Sequence, residues 1–296
     1  MAKNALELAN QARQGLLEAG ARTALIYGAP KTGKTVFAAT IAEAPQIKKV
    51  ILYDLENGWE SIVHAHYPDG ERIISDAALE KITVVPIPDT SSNPIAAVTM
   101  LKVMSTRTRI SICAEHGRVD CSRCKLADDS FLLDPSERDS SWVEIIDSGS
   151  QLAASFLALA KVKYDFKDLR QYYGIVAEFT ADFLTMVQTS KSNIIVVTHT
   201  SVTENPEGKE VIFPNFGSRN QSAQCAKAFG SVIYRCIELN KLKGISTPTY
   251  RSDIVAGTRQ DIALEKLKKG DMTALLAPAT QSPSANQSES KANAKS

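Results

Sequence analysis

An octapeptide near the start of the chain constrains the fold more than any other feature. Residues 28–35 read Gly-Ala-Pro-Lys-Thr-Gly-Lys-Thr, which fits the pattern GxxxxGKT, and the apolar run 23–27 precedes them directly. The two glycines allow the backbone to curl so that successive N–H groups point at bound phosphates. The pattern therefore predicts a strand, a phosphate-holding loop and a helix, although a flexible turn before a lysine can match four positions by accident.

Each part of this octapeptide has an expected part in binding a nucleoside triphosphate. Lys34 is expected to reach the outer phosphates, and the Thr35 hydroxyl to hold a magnesium ion. Residues 36–44 are predicted to form a helix whose positive N-terminal end also faces the anion. The expected nucleotide-binding residues are Gly28, Ala29, Pro30, Lys31, Thr32, Gly33, Lys34 and Thr35.

Composition indicates an ordinary cytoplasmic protein. Of the 296 residues, 44% are hydrophobic and 23% charged, which is enough for a full core. The formal net charge of +1 gives no global attraction to nucleic acid, so such binding depends on local patches. Five cysteines without a secretory leader favour a reducing cytosol, and the lack of an apolar stretch of about 18 residues argues against a membrane span.

The order of apolar and amphipathic segments predicts an α/β fold. Nearly continuous apolar runs, typical of strands covered on both faces of a parallel sheet, occupy residues 23–27, 49–53, 82–86, 142–146 and 193–198. Helical patterns over residues 94–104 and 175–188 lie between them, as in a doubly wound domain. Two later runs, 231–239 and 249–255, are predicted to add antiparallel strands at the sheet edge.

The same patterns predict four regions. Residues 1–21 contain an amphipathic helix with Leu8, Ala12 and Leu16 on one face, and residues 22–270 form the nucleotide-binding core. An insertion at 106–140 interrupts this core. Residues 277–296 lack apolar periodicity and are predicted to be a disordered tail.

Two strand ends carry acidic residues suited to nucleotide hydrolysis. Asp147 closes the run 142–146 and is expected on the magnesium side, while Glu56 follows the strand after the phosphate loop and is placed to activate water. Aspartate also ends strands because it caps helices, so either residue alone is ambiguous. His199 ends a further strand where a γ-phosphate contact would lie; the alternative is a histidine bonded to a backbone carbonyl.

The insertion contains metal-ligand spacing. Cys113, His116, Cys121 and Cys124 form the pattern C-x2-H-x4-C-x2-C. Three thiolates and one imidazole can surround zinc tetrahedrally, and a hairpin of this size has little core without such a staple. Four protein ligands imply a structural role. A chance cluster remains the alternative, because the link between the two knuckles is shorter than in commoner zinc patterns.

These motifs, in this order, resemble the RecA family, and more closely the small RecA-core ATPases of bacteriophages that act in recombination and single-strand annealing. Asp54-Leu55-Glu56 is similar to the family's Asp-x-Glu with its catalytic glutamate, Pro88-Asp89-Thr90 to its Pro-Asp-Thr, and Asp147-Ser148 to its Asp-Ser. His199 stands where the family commonly has glutamine. The resemblance implies that Arg259, in Gly257-Thr-Arg259-Gln, enters the neighbouring subunit's site.

The family's DNA contacts come from two loops, and the resemblance implies two counterparts here. The first, at 161–173, interleaves basic and aromatic residues, a mixture that suits single strands, although a solvated helix with an inward aromatic side would look similar. The second, at 201–222, is equally readable as a β-hairpin. The candidate DNA-binding residues are Lys161, Lys163, Tyr164, Phe166, Lys167, Arg170, Lys209 and Arg219.

Taken with the resemblance, these residues predict a magnesium-dependent ATPase that binds single-stranded DNA and promotes annealing or strand exchange. The catalytic residues would be Lys34, Glu56, Asp147, His199 and Arg259, with ATP, Mg²⁺ and structural zinc as cofactors. The resemblance also implies a ring or filament of identical subunits, with a single-strand-binding protein as a candidate partner, in the host cytoplasm if the chain is phage-encoded. The alternatives are a regulatory switch acting on a protein, and a helicase or packaging motor.

Overall fold

The fold is taken from a computed structural model, which describes residues 21–90, 92–124, 130–205, 207–237, 244–247, 253–260 and 262–276. The predicted N-terminal helix and the predicted tail at 277–296 lie outside these ranges. Within them, no helix has the length and apolarity needed to cross a lipid bilayer.

Nine of the described strands form one sheet, and β4 and β5 form a separate ribbon. The strands are β1 (Thr23–Gly28), β2 (Lys49–Asp54), β3 (Ile82–Pro86), β4 (Ile110–Ile112), β5 (Phe131–Leu133), β6 (Trp142–Asp147), β7 (Asn193–Glu204), β8 (Glu210–Asn215), β9 (Ser231–Ile237), β10 (Gly244–Thr247) and β11 (Gly257–Thr258).

The main sheet is mostly parallel. Its order is β10-β9-β1-β7-β6-β2-β3, and every neighbouring pair from β9 to β3 is parallel. Antiparallel pairs lie at the periphery, where β10 and β11 pair with β9, and β8 pairs with β7. The predicted fold class, a mainly parallel sheet flanked by helices with added antiparallel strands, is confirmed.

Helices cover both faces of this sheet. They are α1 (Lys34–Ala39), α2 (Glu60–His64), α3 (Asp76–Leu79), α4 (Ile95–Ser105), α5 (Gly149–Lys163), α6 (Leu169–Thr189), α7 (Arg219–Ala228) and α8 (Leu264–Lys268). Short 3₁₀ turns at Thr40–Glu43 and Met272–Leu275 extend the layer that contains α1.

Two hydrophobic cores lie on opposite sides of the sheet. Leu25 and Tyr27 face the core formed with α4, α5 and α6, whereas Ala24 and Ile26 face the core formed with α1 and the C-terminal segment. Alternate residues of one strand are thus buried on both sides, as its unbroken apolar run requires.

The C-terminal strands differ from the prediction. β9 was expected in an antiparallel addition, yet it pairs in parallel with β1, because α7 is a crossover that returns the chain to the same sheet edge. Of the run predicted at 249–255, only 253–255 lie within the described residues, and they form no strand beyond an isolated bridge from Ile254 to Ile212. The described antiparallel strands are instead β10 and β11.

The region predicted as a second DNA loop contains a β-hairpin. β7 continues beyond the predicted end at residue 198, and its extension pairs with β8 from His199–Asn215 to Glu204–Glu210. α7 then begins at Arg219 with a capping box formed by Ser218 and Gln221. The hairpin interpretation of 201–222 is therefore confirmed for its first part, with a helix following it.

The insertion packs against the core. Gly117 has a positive φ of 60°, and a Cβ there would lie 2.7 Å from the Ile87 Cα. Its carbonyl accepts a buried hydrogen bond of 2.7 Å from the Thr99 hydroxyl of α4. Only glycine fits this approach, so the insertion is fixed against β3 and α4.

Candidate active site

The octapeptide loop joins β1 to α1 at the carboxyl edge of the sheet. Lys31 and Gly33 both adopt positive φ, of 62° and 71°, which curls the backbone as the glycine spacing predicts. At Gly28 a Cβ would lie 2.2 Å from the Arg235 carbonyl oxygen, so no side chain fits there. The close approach of β9 at Gly28 therefore fixes the start of the loop against its neighbouring strand.

The Lys34 side chain folds back into this loop. Its ammonium group donates to the Ala29 carbonyl oxygen at 2.8 Å, and the residue is buried. Burial lowers the pKa of Lys34, and the nearby carboxylates of Asp147 and Glu56 oppose that shift. A buried cation that is hydrogen-bonded to a neutral carbonyl is well suited to an incoming anion.

Asp147 is placed beside the loop by strand register. β6 and β2 pair so that Asp147 lies opposite Asp54, and the Thr35 hydroxyl donates to the Asp147 carboxylate at 2.5 Å. Burial raises the pKa of Asp147 to about 6, and repulsion from Glu56 and Asp54 adds to the shift. The pair presents a hydroxyl and a carboxylate oxygen beside the Lys34 ammonium group.

Glu56 lies on the short loop after β2. The Asp54 carboxylate organises this loop by accepting the backbone N–H groups of Glu56, Gly58 and Trp59 at 3.0–3.2 Å. The Ser148 hydroxyl donates to the Glu56 carboxylate. Glu56 is about one-third exposed, so its carboxylate is held in place while remaining open to water.

His199 completes the group from β7. Its Nε2 lies 3.3 Å from Glu56 Oε1, and its backbone N–H donates to the Ser150 hydroxyl at 2.9 Å. The alternative of a histidine ring bonded to a backbone carbonyl does not match this contact. Nδ1 is buried and has no hydrogen-bond partner among the described residues.

These residues fit a nucleotide phosphate chain and a magnesium ion. The loop, with its positive φ at Lys31 and Gly33, leads into the N-terminus of α1, and Lys34 supplies a buried cation. Thr35 and Asp147 offer hydroxyl and carboxylate oxygens, the hard ligands that Mg²⁺ prefers. A cation there would offset the burial, and the smaller repulsion from Glu56 and Asp54, that raise the Asp147 pKa.

Arg235 lies at the loop, and sequence reasoning missed it. Its Nε donates to the Thr32 carbonyl at 2.8 Å, and its guanidinium carbon lies 4.6 Å from the Phe37 ring centroid. Its position can be inferred only when the pairing register of β9 and β1 is known, because these strands are parallel and Tyr234 lies opposite Tyr27. The residue after Tyr234 therefore lies level with Gly28.

Arg259 lies away from the phosphate loop of its own chain. Its guanidinium donates to the Lys227 carbonyl at 2.8 Å and the Phe229 carbonyl at 3.0 Å, at the C-terminal end of α7. A cation is favourable at that end of a helix. The role expected of Arg259 in a neighbouring subunit's site stays a prediction.

The four predicted zinc ligands of the insertion come together. One ligand atom from each of Cys113, His116, Cys121 and Cys124 lies within 4.8 Å of the others, and His116 Nδ1 is 3.2 Å from Cys124 Sγ. Ligand atoms on a tetrahedral zinc ion lie about 3.8 Å apart, for bonds of about 2.3 Å. The donor set and spacing fit zinc, and none of the four ligands belongs to the phosphate site.

The predicted first DNA loop is partly packed on itself. Lys161 and Lys163 lie in the last turn of α5, the rings of Tyr164 and Phe166 stack at 5.2 Å, and Tyr172 is buried with its hydroxyl bonded to backbone. The inward-facing alternative therefore describes Tyr172. The other candidate DNA-binding positions are Lys167 and Arg170 at the start of α6, Lys209 in the β7–β8 turn, and Arg219 at the start of α7.

Comparison with known proteins identifies the family. Residues 21–224, more than half of the chain, match a family described as an AAA domain. The chain belongs to this family. Its mainly parallel sheet, with the phosphate loop between β1 and α1, is the arrangement of a P-loop nucleotide-binding domain.

Two solved structures show a distant likeness to this AAA domain. A prototypical ATPase from the type III secretion system of pathogenic bacteria has a TM-score of 0.44 and 12% identity, covering 76% of this chain and 54% of its own. The RadB recombinase has a TM-score of 0.41 and 13% identity, covering 82% and 88%. The chain thus spans about half the length of the first. No curated protein matches the AAA domain significantly.

Proposed function

We propose that this AAA domain is a magnesium-dependent ATPase that binds single-stranded DNA and promotes annealing or strand exchange, as in phage recombination. The observation that carries the hydrolytic part is the convergence of Lys34, Asp147 and Glu56, from three different strand ends, beside one loop. Such a set combines a phosphate-binding cation, a metal ligand and a general base, which are the groups needed to transfer a phosphoryl group to water.

Each residue has a distinct part in the proposed reaction. Lys34 exchanges its bond with Ala29 for the outer phosphate oxygens, and Thr35 with Asp147 holds magnesium. Magnesium, when bound, neutralises charge on the phosphate oxygens. Glu56 accepts the proton of the attacking water, and Ser148 together with His199 keeps its carboxylate oriented.

Local charge supports the DNA part of the proposal. Lys161, Lys163, Lys167 and Arg170 lie within residues 161–170 around the junction of α5 and α6, together with the partly exposed Tyr164, and they outnumber the acidic Asp165 and Asp168 of this segment. Cations that follow phosphates, with rings on which bases stack, suit single strands. Binding of this kind weakens with salt, because it releases counterions.

An assembly of identical subunits is part of the same proposal. Arg259 is exposed and lies on the far side of β9 from the phosphate loop of its own chain. A guanidinium delivered to a neighbouring subunit's triphosphate stabilises developing charge. Mixing Arg259→Ala subunits with Lys34→Ala subunits should then restore turnover in part; mixtures as inactive as the separate variants would argue against the arrangement.

The test of function compares ATP turnover with and without a single-stranded oligonucleotide, alongside annealing of complementary strands. Charge reversal at Lys161, Lys163, Lys167 and Arg170 should weaken DNA binding at least about tenfold and remove the stimulation. A matched variant, Lys266→Glu with Lys268→Glu on α8, should retain both. Turnover indifferent to DNA, in a protein that binds no oligonucleotide, would favour the regulatory switch. Processive strand separation would favour the motor.

Zinc in the insertion is the second part of the proposed cofactor set. The four ligand atoms leave no open coordination position, so the metal would be structural. Its proposed effect is to hold the hairpin containing Gly117 against β3 and α4.

A further inference from the structure

A groove lies between the insertion, the first half of α4 and the end of α5. Its volume is about 420 Å³. Ile95 and Leu159 form its buried floor, and the side chains of Val98, Val119 and Val162 line its walls. The ATP-binding residues are not among those that line it, so this is a separate surface.

The walls of the groove expose aliphatic surface. Val98 is 52% exposed between the buried Ala97 and Thr99, and Val162 is 60% exposed in the last turn of α5. Because both valines line the same groove, their exposed surfaces form one apolar patch. A concave patch with this character is typical of a site that receives an apolar side chain.

The rim of the groove is positively charged. Lys102 rises from α4 and Arg118 from the insertion, and both side chains are exposed. Arg118 is oriented by a hydrogen bond of 2.6 Å to Asn93. Among the described residues that line the groove, Asp120 is the acidic one, and its carboxylate accepts the Ser111 backbone N–H at 3.3 Å. Two cations thus face solvent beside an aliphatic trough.

We propose that this groove binds an acidic peptide segment of a protein partner, with an apolar side chain of the peptide in the trough and its carboxylates on Lys102 and Arg118. Charge complementarity selects this occupant: the rim offers cations for carboxylates, and the trough offers aliphatic contact. Single-stranded nucleic acid fits less well, because none of the lining residues is aromatic and bases have no ring on which to stack.

The insertion's metal cluster supports one wall of the groove. Arg118 and Val119 lie between His116 and Cys121, two of the four clustered ligands, and the neighbouring Gly117 is bonded to α4 through Thr99. Zinc binding would therefore hold Arg118 opposite Lys102. Loss of the metal should weaken peptide binding while leaving the nucleotide site, which shares none of these residues, able to bind ATP.

The experiment uses the full chain and a fluorescein-labelled peptide with four aspartates followed by Leu-Phe. Fluorescence anisotropy should show saturable binding that weakens as salt is raised. Arg118→Glu and Lys102→Glu should each weaken it about tenfold, the equivalent of one lost charge contact. Val98→Ser should also weaken it. Lys268→Glu, an equally exposed charge reversal on α8, should leave it unchanged.

Control peptides and a fluorescent ATP analogue make the outcome decisive. A peptide with glutamines in place of aspartates, and one with Ser-Ser in place of Leu-Phe, should each bind at least about tenfold more weakly. All variants should bind the ATP analogue as the parent does, which shows that they are folded. The proposal is overturned if the acidic peptide does not bind, if Arg118→Glu binds it equally, or if a dT oligonucleotide displaces it and itself depends on Arg118.

Discussion

The imidazole Nε2 of His199 lies 3.3 Å from the carboxylate of Glu56, joining the end of β7 to the loop after β2. β6 lies between β7 and β2 in the sheet, so this contact crosses the strand that ends at Asp147, while β1 and its phosphate loop adjoin β7 on the other side. A bound γ-phosphate that displaced His199 would therefore change the position of Glu56, the residue proposed as base.

Replacing His199 should slow hydrolysis more than it weakens binding. His199→Ala removes one of the two side chains that orient Glu56, and we expect kcat to fall about tenfold to a hundredfold with little change in the Kd for ATP. His199→Gln retains a hydrogen-bonding group and should recover part of the loss. A fall in ATP affinity as large as the fall in kcat would contradict a positioning role.

Replacing the proposed base should separate binding from hydrolysis. Glu56→Gln preserves shape and can still accept a hydrogen bond from Ser148, but it cannot take a proton from water. We expect turnover to fall by a factor of about 10² to 10⁴ while ATP affinity is retained. Glu60→Gln, four residues along at the start of α2, is the matched control. Unchanged turnover in Glu56→Gln would exclude this residue as the base.

Asp147→Asn should stabilise the nucleotide-free protein. The pKa of Asp147 is raised from 3.8 to about 6, so its folded state favours the protonated form. The contribution of Asp147 to the free energy of unfolding is therefore fully present below its unfolded pKa of 3.8. It is lost as the pH rises through about 6. Removing the charge should recover up to about 3 kcal/mol at pH 7.5, measured by denaturant unfolding.

The control for this stabilisation is Asp182→Asn, an exposed carboxylate on α6. It should leave the free energy of unfolding nearly unchanged. Asp147→Asn should also abolish the stabilisation that magnesium and ATP together give to the parent protein. If Asp147→Asn instead lowered the free energy of unfolding at pH 7.5, the charge of Asp147 would stabilise the folded protein and the prediction would be wrong.

Arg235 should prove necessary for nucleotide binding. Its bond to the Thr32 carbonyl fixes the peptide that leads into Gly33, and its guanidinium stacks on Phe37. Arg235→Ala should weaken ATP binding about tenfold, and Arg235→Lys should recover little, because an ammonium group cannot reproduce the planar fork. Arg72→Ala, which removes an exposed ion pair with Asp76, should bind ATP normally.

Zinc content tests the insertion directly. Protein purified without chelators should contain about one zinc per chain by mass spectrometry, and Cys121→Ser with Cys124→Ser should contain none. Cys225→Ala removes a buried thiol outside the cluster and should keep the metal. Chelation should lower Tm in the parent and leave the double variant unaffected. Metal-free parent protein with an unchanged Tm would count against zinc.

The strand ends were predictable from sequence, whereas the contacts across strands were not. Asp147 and Glu56 follow apolar runs, and carboxyl ends of parallel strands share an edge, so their proximity follows from local pattern. Arg235 depends on β9 being parallel to β1, which in turn depends on the crossover helix α7. α7 is short and polar, so apolar residues alone did not reveal it.

The groove beside the insertion was unpredictable for a related reason. Val98 and Val162 belong to ordinary amphipathic helices, and nothing local distinguishes an exposed valine from a buried one. Their juxtaposition arises from how α4 and α5 pack, and from the insertion lying across them. The spacing of the cysteine and histidine ligands, by contrast, is local in sequence, so the metal site could be predicted without knowledge of the fold.

The steric fit of Gly117 against Ile87 has a consequence for engineering. A module joined through flexible linkers can be transplanted or deleted as a cassette, but this insertion shares backbone contact with β3 and a hydrogen bond with Thr99. Excising it would uncover the ends of β3 and α4. A shortened chimera would therefore need new side chains on both elements before it could fold as the parent does.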